Sequence, residues 1–152
     1  MKIVDILSKE SVVCDISSDS KKKLLEDLAL LASKETGADS RVILDALIER
    51  ERLGTTGVGA GVALPHTRLL GLDKIYCAFV RTNPVDFEAV DGKLVDLVFL
   101  LLVPEEAGAD HLKALARLSR LLRDDNITES LRKAKTTDEI YQIICDADSQ
   151  AD

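Results

Sequence analysis

From Ser20 onward, Leu24, Leu25, Leu28, Leu31 and Ala32 recur at three- and four-residue spacing, which places them on one face of a helix. Asp19 or Ser20 can cap its start and Gly37 can close it. A second helix is predicted from about Ser40 to Arg52, with Val42, Ile43, Ala46 and Leu47 inward. Before these helices, a short turn and an edge strand around 11–16 fit the mixture of apolar and polar residues. The run Ile75-Tyr76-Cys77-Ala78-Phe79-Val80 reads as another strand, followed by a break at Asn83-Pro84.

Leu94 to Val103 is almost continuously apolar, interrupted only by Asp96 and ended by Pro104. Such a run suits a central strand covered on both faces, so helices must pack on each side. Downstream, Leu112, Leu115, Ala116, Ser119 and Leu122 share a face of a helix from about 110 to 123. Asp125 or Asn126 can cap a further short helix, and Thr136 with Glu139 forms a capping box for the last one. That helix carries Ile140, Tyr141, Ile143 and Ile144, and the acidic tail beyond about residue 146 is expected to fray. The alternation of helices with apolar strands predicts one α/β layered domain over 1–152.

Charge and composition narrow the functional classes. Lys and Arg number 20 against 27 Asp and Glu, and a net charge of −7 argues against general affinity for nucleic acid or anionic lipid. No apolar run reaches the roughly 18 residues of a membrane span, and the N-terminus lacks a signal-peptide core. The expected location is the cytoplasm, with no membrane insertion. Cys14, Cys77 and Cys145 are widely spaced and odd in number, which fits reduced thiols better than a disulfide framework or a zinc cluster.

The densest chemical signal is Gly57-Val58-Gly59-Ala60-Gly61-Val62-Ala63-Leu64-Pro65-His66. Gly57, Gly59 and Gly61 permit close backbone approach and an anion-cradling turn, while Pro65 biases Leu64 toward extended geometry and delivers His66 at a strand end. A Walker-type loop requires Lys followed by Ser or Thr at a helix start, and here apolar residues and Pro65 follow the glycines. A dinucleotide fingerprint follows a strand and opens a helix, the reverse of the order here. Taken alone, His66 reads equally well as a structural histidine or as a phosphoryl acceptor.

His111 follows the central strand and sits just inside a helix, where an imidazole can donate toward phosphoryl oxygens or toward His66, or can simply cap the helix. Arg50 is the best candidate for a cation near such a group, although Glu49 and Glu51 beside it equally suggest a solvated helix face. Thr55 and Thr56 can donate hydroxyl hydrogen bonds or merely form the turn. Two histidines and Asp110 lack a convincing third ligand, so no metal is expected.

The stretch Arg50 to His66, ERLGTTGVGAGVALPH after the arginine, resembles the active-site segment of enzyme IIA domains of the fructose/mannitol class. These belong to the bacterial phosphoenolpyruvate-dependent sugar phosphotransferase system. The similarity continues through Pro84-Val85-Asp86-Phe87, Val95-Asp96-Leu97-Val98-Phe99 and His111-Leu112-Lys113-Ala114-Leu115-Ala116, and reaches the C-terminal Leu131-Arg132 and Glu139-Ile140. It implies a mixed β-sheet flanked by helices on both faces and no cofactor.

The resemblance further implies that His66 accepts a phosphoryl group from the phosphohistidine of the histidine-containing phosphocarrier protein. His111 then matches the family's second histidine and Arg50 its active-site arginine, with Thr55, Thr56, Gly57, Gly59 and Gly61 as a phosphoryl-binding loop. Many relatives place a glycine after the active histidine, whereas this chain has Thr67-Arg68. Arg68 there suggests solvated surface, or a contact to a phosphoryl group or an acidic partner. The nitrogen-regulatory branch is resembled most, which implies regulatory protein targets such as potassium transport regulators or sensor kinases. The alternative is a sugar-transport component that passes the phosphoryl group to a cysteine of a IIB domain.

Overall fold

The computed structural model describes residues 1–150. A 3-10 turn at Ile3–Asp5 leads into strand β1 (Leu7–Ile16), helices α1 (Lys21–Thr36) and α2 (Ser40–Arg52), and three short strands, β2 (Gly57–Gly59), β3 (Val62–Ala63) and β4 (His66–Leu69). Two long strands, β5 (Tyr76–Val85) and β6 (Val95–Pro104), precede helices α3 (Asp110–Leu122), α4 (Asp125–Lys133) and α5 (Thr137–Gln150). The sheet runs β1-β5-β6-β3-β2, and β4 also pairs with β6. It is mixed: β1 is parallel to β5, β3 and β4 are parallel to β6, and β5 is antiparallel to β6.

The apolar run of β6 is explained by the two layers it separates. Leu97, Phe99, Leu101 and Val103 pack under α3, α4 and α5, while Val98, Leu100 and Leu102 pack under α1 and α2. Side chains alternate along a strand, so a strand buried on both faces cannot alternate in polarity. Phe79 on β5 meets Phe99 on β6 with ring centroids 4.9 Å apart, within the range of a favourable tilted pair.

Helix α1 opens and closes as expected, with Ser20 accepting the Lys23 N–H and Gly37 in the left-handed conformation at φ 81°. Elsewhere the local signals shift. The strand expected to break at Asn83-Pro84 continues to Val85, because the break is absorbed as a register irregularity between Arg81 and Val85. Asp124, not Asp125 or Asn126, caps α4 by accepting the Asn126 N–H. Val42 is exposed, because the buried stripe of α2 centres on Ile43 and Leu47 with Leu44 and Ile48 beside it.

In α3 the face inferred from Leu112 to Leu122 is displaced. Ala114, Leu118, Leu121 and Leu122 are buried, whereas Leu112 is exposed. The helix carries leucines on two overlapping faces, and packing against the sheet selects one. The expected fraying beyond about residue 146 is also corrected: α5 continues to Gln150, and Asp148 is buried. The last two residues of that tail lie outside the described residues.

Candidate functional site

His66 begins β4, and Pro65 immediately before it contributes its carbonyl to the Leu101 N–H of β6 at 3.0 Å. One residue earlier, the Leu64 carbonyl lies 2.8 Å from His66 Nδ1. A carbonyl can only accept, so Nδ1 carries the proton and Nε2 of the neutral ring keeps its lone pair. Burial pushes the His66 pKa below the ordinary imidazole value, the Leu64 hydrogen bond opposes this, and the Arg50 charge adds to the lowering. The ring is therefore neutral at neutral pH.

Arg50, Glu51 and His111 all lie close enough for their charges to act on His66. Arg50, in the last turn of α2, donates from Nη1 to the Gly54 carbonyl at 2.9 Å, and its side chain makes no other hydrogen bond or ion pair among the described residues. His111 lies in the first turn of α3, with Nδ1 2.8 Å from the Gly108 carbonyl. Arg68 reaches over from β4 and donates to the Glu105 carbonyl at 2.9 Å and to the Gly108 carbonyl at 3.1 Å. Its Nη2 lies 3.0 Å from His111 Nδ1, and because a guanidinium only donates, that bond forms when Nδ1 is unprotonated and Nε2 carries the proton, whereas the Gly108 bond forms in the Nδ1–H tautomer. Arg68 thus ties β4 to the loop that carries His111 through solvent-exposed bonds.

The residues predicted as a phosphoryl-binding loop separate into two groups. Thr55 donates its hydroxyl to the Phe87 carbonyl at 3.1 Å, and Thr56 donates its hydroxyl to Glu51, so both protons are engaged within the protein. Gly57 is extended, and a Cβ there would lie 2.9 Å from both Cα and Cβ of Ala89, which explains the glycine by close packing. Gly59 and Gly61 have φ of 105° and 80° and form the β2–β3 turn. That turn is tied by Asp91 to the Ala60 N–H and by Arg132 to the Ala60 carbonyl.

Register then sets the turn apart from the histidine. Val62 pairs with Leu97 whereas His66 pairs with Leu101, a separation of four residues along β6 and on the order of 13 Å of strand. The structure brings His66, His111 and Arg50 together and leaves Gly59 and Gly61 at the other end. Sequence reasoning missed Glu51, the Leu64 carbonyl and the Gly108 carbonyl. A glutamate between two arginines looks like a solvated helix end, and backbone acceptors leave no residue-type signal.

Other candidates fall away. Cys77 is buried, and burial pushes its thiol pKa up, which removes it as a nucleophile. A cavity of about 430 Å³ between the 3-10 turn, the end of α1 and the start of β5 contains neither histidine. Both histidines are half-buried, and the exposed Leu53, Leu70 and Leu112 flank Arg50, His66 and His111 in sequence.

The chain matches the family described as the phosphoenolpyruvate-dependent sugar phosphotransferase system, EIIA 2, over residues 5–147. It belongs to that IIA family. A nitrogen regulatory protein of Bradyrhizobium diazoefficiens is 49% identical over 145 residues, which span 95% of each chain. The crystal structure of nitrogen regulatory protein IIA-Ntr from Neisseria meningitidis is 40% identical with a TM-score of 0.89, covering 93% of this chain and 98% of that one. The IIA fold also recurs in the Escherichia coli complex of enzyme IIA mannitol with phosphorylated enzyme IIB mannitol, at 17% identity and a TM-score of 0.76, covering 91% of this chain and 98% of that one. At that identity the likeness is one of fold. Among the described residues, no helix of this IIA domain is long and apolar enough to cross a membrane.

Proposed function

We propose that His66 Nε2 accepts a phosphoryl group from the phosphohistidine of the histidine-containing phosphocarrier protein, and that the phosphorylation state is read by regulatory protein partners. The observation that carries this reading is the Leu64 carbonyl holding Nδ1–H, which aims the lone pair of a neutral imidazole away from its own backbone. Phosphoryl transfer mainly requires positioning and charge stabilisation, so little else is needed from the protein. Arg50 supplies a guanidinium for the equatorial oxygens, and His111 supplies an N–H from Nε2 when that nitrogen carries a proton. The exposed Leu53, Leu70 and Leu112 support docking of a protein donor rather than capture of a small molecule.

The regulatory output follows from the same geometry. A phosphoryl group adds charge and three acceptor oxygens to a surface with apolar neighbours, and a docking partner feels both the charge and its desolvation. Potassium transport regulators and sensor kinases are the partner classes this reading points to. Relatives named nitrogen regulatory proteins that match over nearly their whole length favour it over a dedicated sugar-transport role.

Incubation with phosphoenolpyruvate, the first enzyme of the pathway and the phosphocarrier, followed by intact mass, tests the central step. One acid-labile phosphoryl group is expected on the native chain and none on His66→Ala. Equal labelling of the two overturns the assignment. His111→Ala is expected to slow transfer with the fold retained. Rapid His66-dependent transfer to one sugar-specific IIB protein, with no state-dependent binding elsewhere, would establish the transport reading instead.

A further inference from the structure

We infer that Glu51 and Thr56 are positioning residues for the His66 nucleophile, an inference that rests on the phosphoryl-acceptor reading above. Glu51 lies in the last turn of α2, and its side chain is only 7% exposed. Its Oε1 accepts the Thr56 N–H at 3.0 Å and its Oε2 accepts the Thr56 hydroxyl. Lys21 from α1 holds the same carboxylate at 2.9 Å, while its ammonium sits 4.6 Å from the centre of the Phe87 ring. Thr56 itself is 3% exposed. Two helices and the loop therefore meet on one buried carboxylate.

The brace leads directly to the ring. The Thr56 carbonyl accepts the Leu64 N–H at 2.9 Å, and the Leu64 carbonyl in turn accepts Nδ1–H of His66 at 2.8 Å. Fixing Thr56 holds the Leu64 backbone through its N–H, and the Leu64 carbonyl on the far side of the same residue decides which imidazole nitrogen carries the proton. A loosened loop would let the ring adopt the other tautomer, with Nε2 protonated and unable to attack.

The same chain serves the reacting state. As the Nε2–P bond forms and the donor's P–N bond breaks, the electron pair of that bond returns to the donor nitrogen and the Nδ1 proton stays on His66. The ring then gains positive charge, so its bond to the Leu64 carbonyl becomes charge-assisted and the nearby Glu51 carboxylate favours it. Glu51 touches neither the phosphoryl group nor the donor.

The test combines ring nitrogen–proton correlation spectra of His66 with steady-state transfer from the phosphorylated carrier. In the native chain the spectra are expected to report the Nδ1–H tautomer. Glu51→Gln and Thr56→Val are each expected to populate the Nε2–H tautomer and to lower kcat about tenfold, with KM for the carrier within about twofold, the pattern of lost positioning rather than lost docking. Thr56→Ser, which keeps the hydroxyl, is expected to restore both readouts.

Unchanged tautomer and kcat in both Glu51→Gln and Thr56→Val overturn the inference. So does a kcat loss that Thr56→Ser fails to rescue. Should Glu51→Gln melt below the assay temperature, Thr56→Val decides, since valine keeps the shape of threonine. If the native chain takes no phosphoryl group, the acceptor reading fails, and the tautomer spectra still decide whether Glu51 and Thr56 hold the ring.

Discussion

Replacing Asp148 by alanine removes the carboxylate that joins the two ends of the chain. Asp148 Oδ2 accepts the Ile3 N–H at 2.6 Å and Oδ1 accepts Arg117 Nε at 2.8 Å, with 3% of its side chain exposed. Leaving the buried Ile3 N–H without its acceptor costs about 1–3 kcal/mol. Removing one member of a buried ion pair costs about 3–5 kcal/mol, and the lower end applies because Arg117 also donates to the Asp148 carbonyl, which survives the substitution. The two losses overlap, so about 4 kcal/mol in all is expected. For a chain of this size that lowers the melting temperature by about 10 °C, followed by far-UV circular dichroism. Asp148→Asn, which keeps an acceptor for Ile3 but no charge, is expected to lose about half as much. An alanine variant melting within about 2 °C of the native protein would refute the anchoring of α5 to the N-terminal turn.

Three further outcomes follow from the site. Gly57→Ala forces a Cβ against Ala89 Cα at 2.9 Å, a backbone neighbour that yields poorly, and is expected to lower the urea unfolding free energy by about 1–3 kcal/mol. For pH, the folded pKa of His66 lies below its unfolded value of about 6.5, so the unfolded chain takes up the proton first as pH falls. The His66 contribution to stability is therefore complete above that value and is lost as pH drops from there through the folded pKa; a nuclear magnetic resonance titration midpoint at or above the ordinary imidazole value would contradict it. Arg68→Ala frees the loop that carries His111 and is expected to slow phosphoryl transfer by about threefold, as for screened surface bonds. A loss beyond about a thousandfold would instead make Arg68 a phosphoryl ligand.

How far the sequence could be read depended on how local each decision was. The α1 caps at Ser20 and Gly37 are set within a few residues of the chain, and both were legible. The face of α3 was not, since its leucines lie on two overlapping stripes and only contact with the sheet chooses between them. Thr55 and Thr56 read equally as hydroxyl donors or as turn formers, and their partners, Phe87 and Glu51, are invisible to spacing.

The layered α/β architecture and the doubly covered β6 follow from the order of residues, because periodicity and turn chemistry act over neighbouring positions; the strand that His66 opens does not. Which groups surround that histidine was decided only in three dimensions. Parallel pairing with β6 sets His66 opposite Leu101 and carries the glycine turn to the opposite end, while the Leu64 carbonyl, a group every residue type shares, selects the nitrogen that bears the proton. Strand register and backbone acceptors leave no residue-type signature, so they exist as information only once the chain has folded.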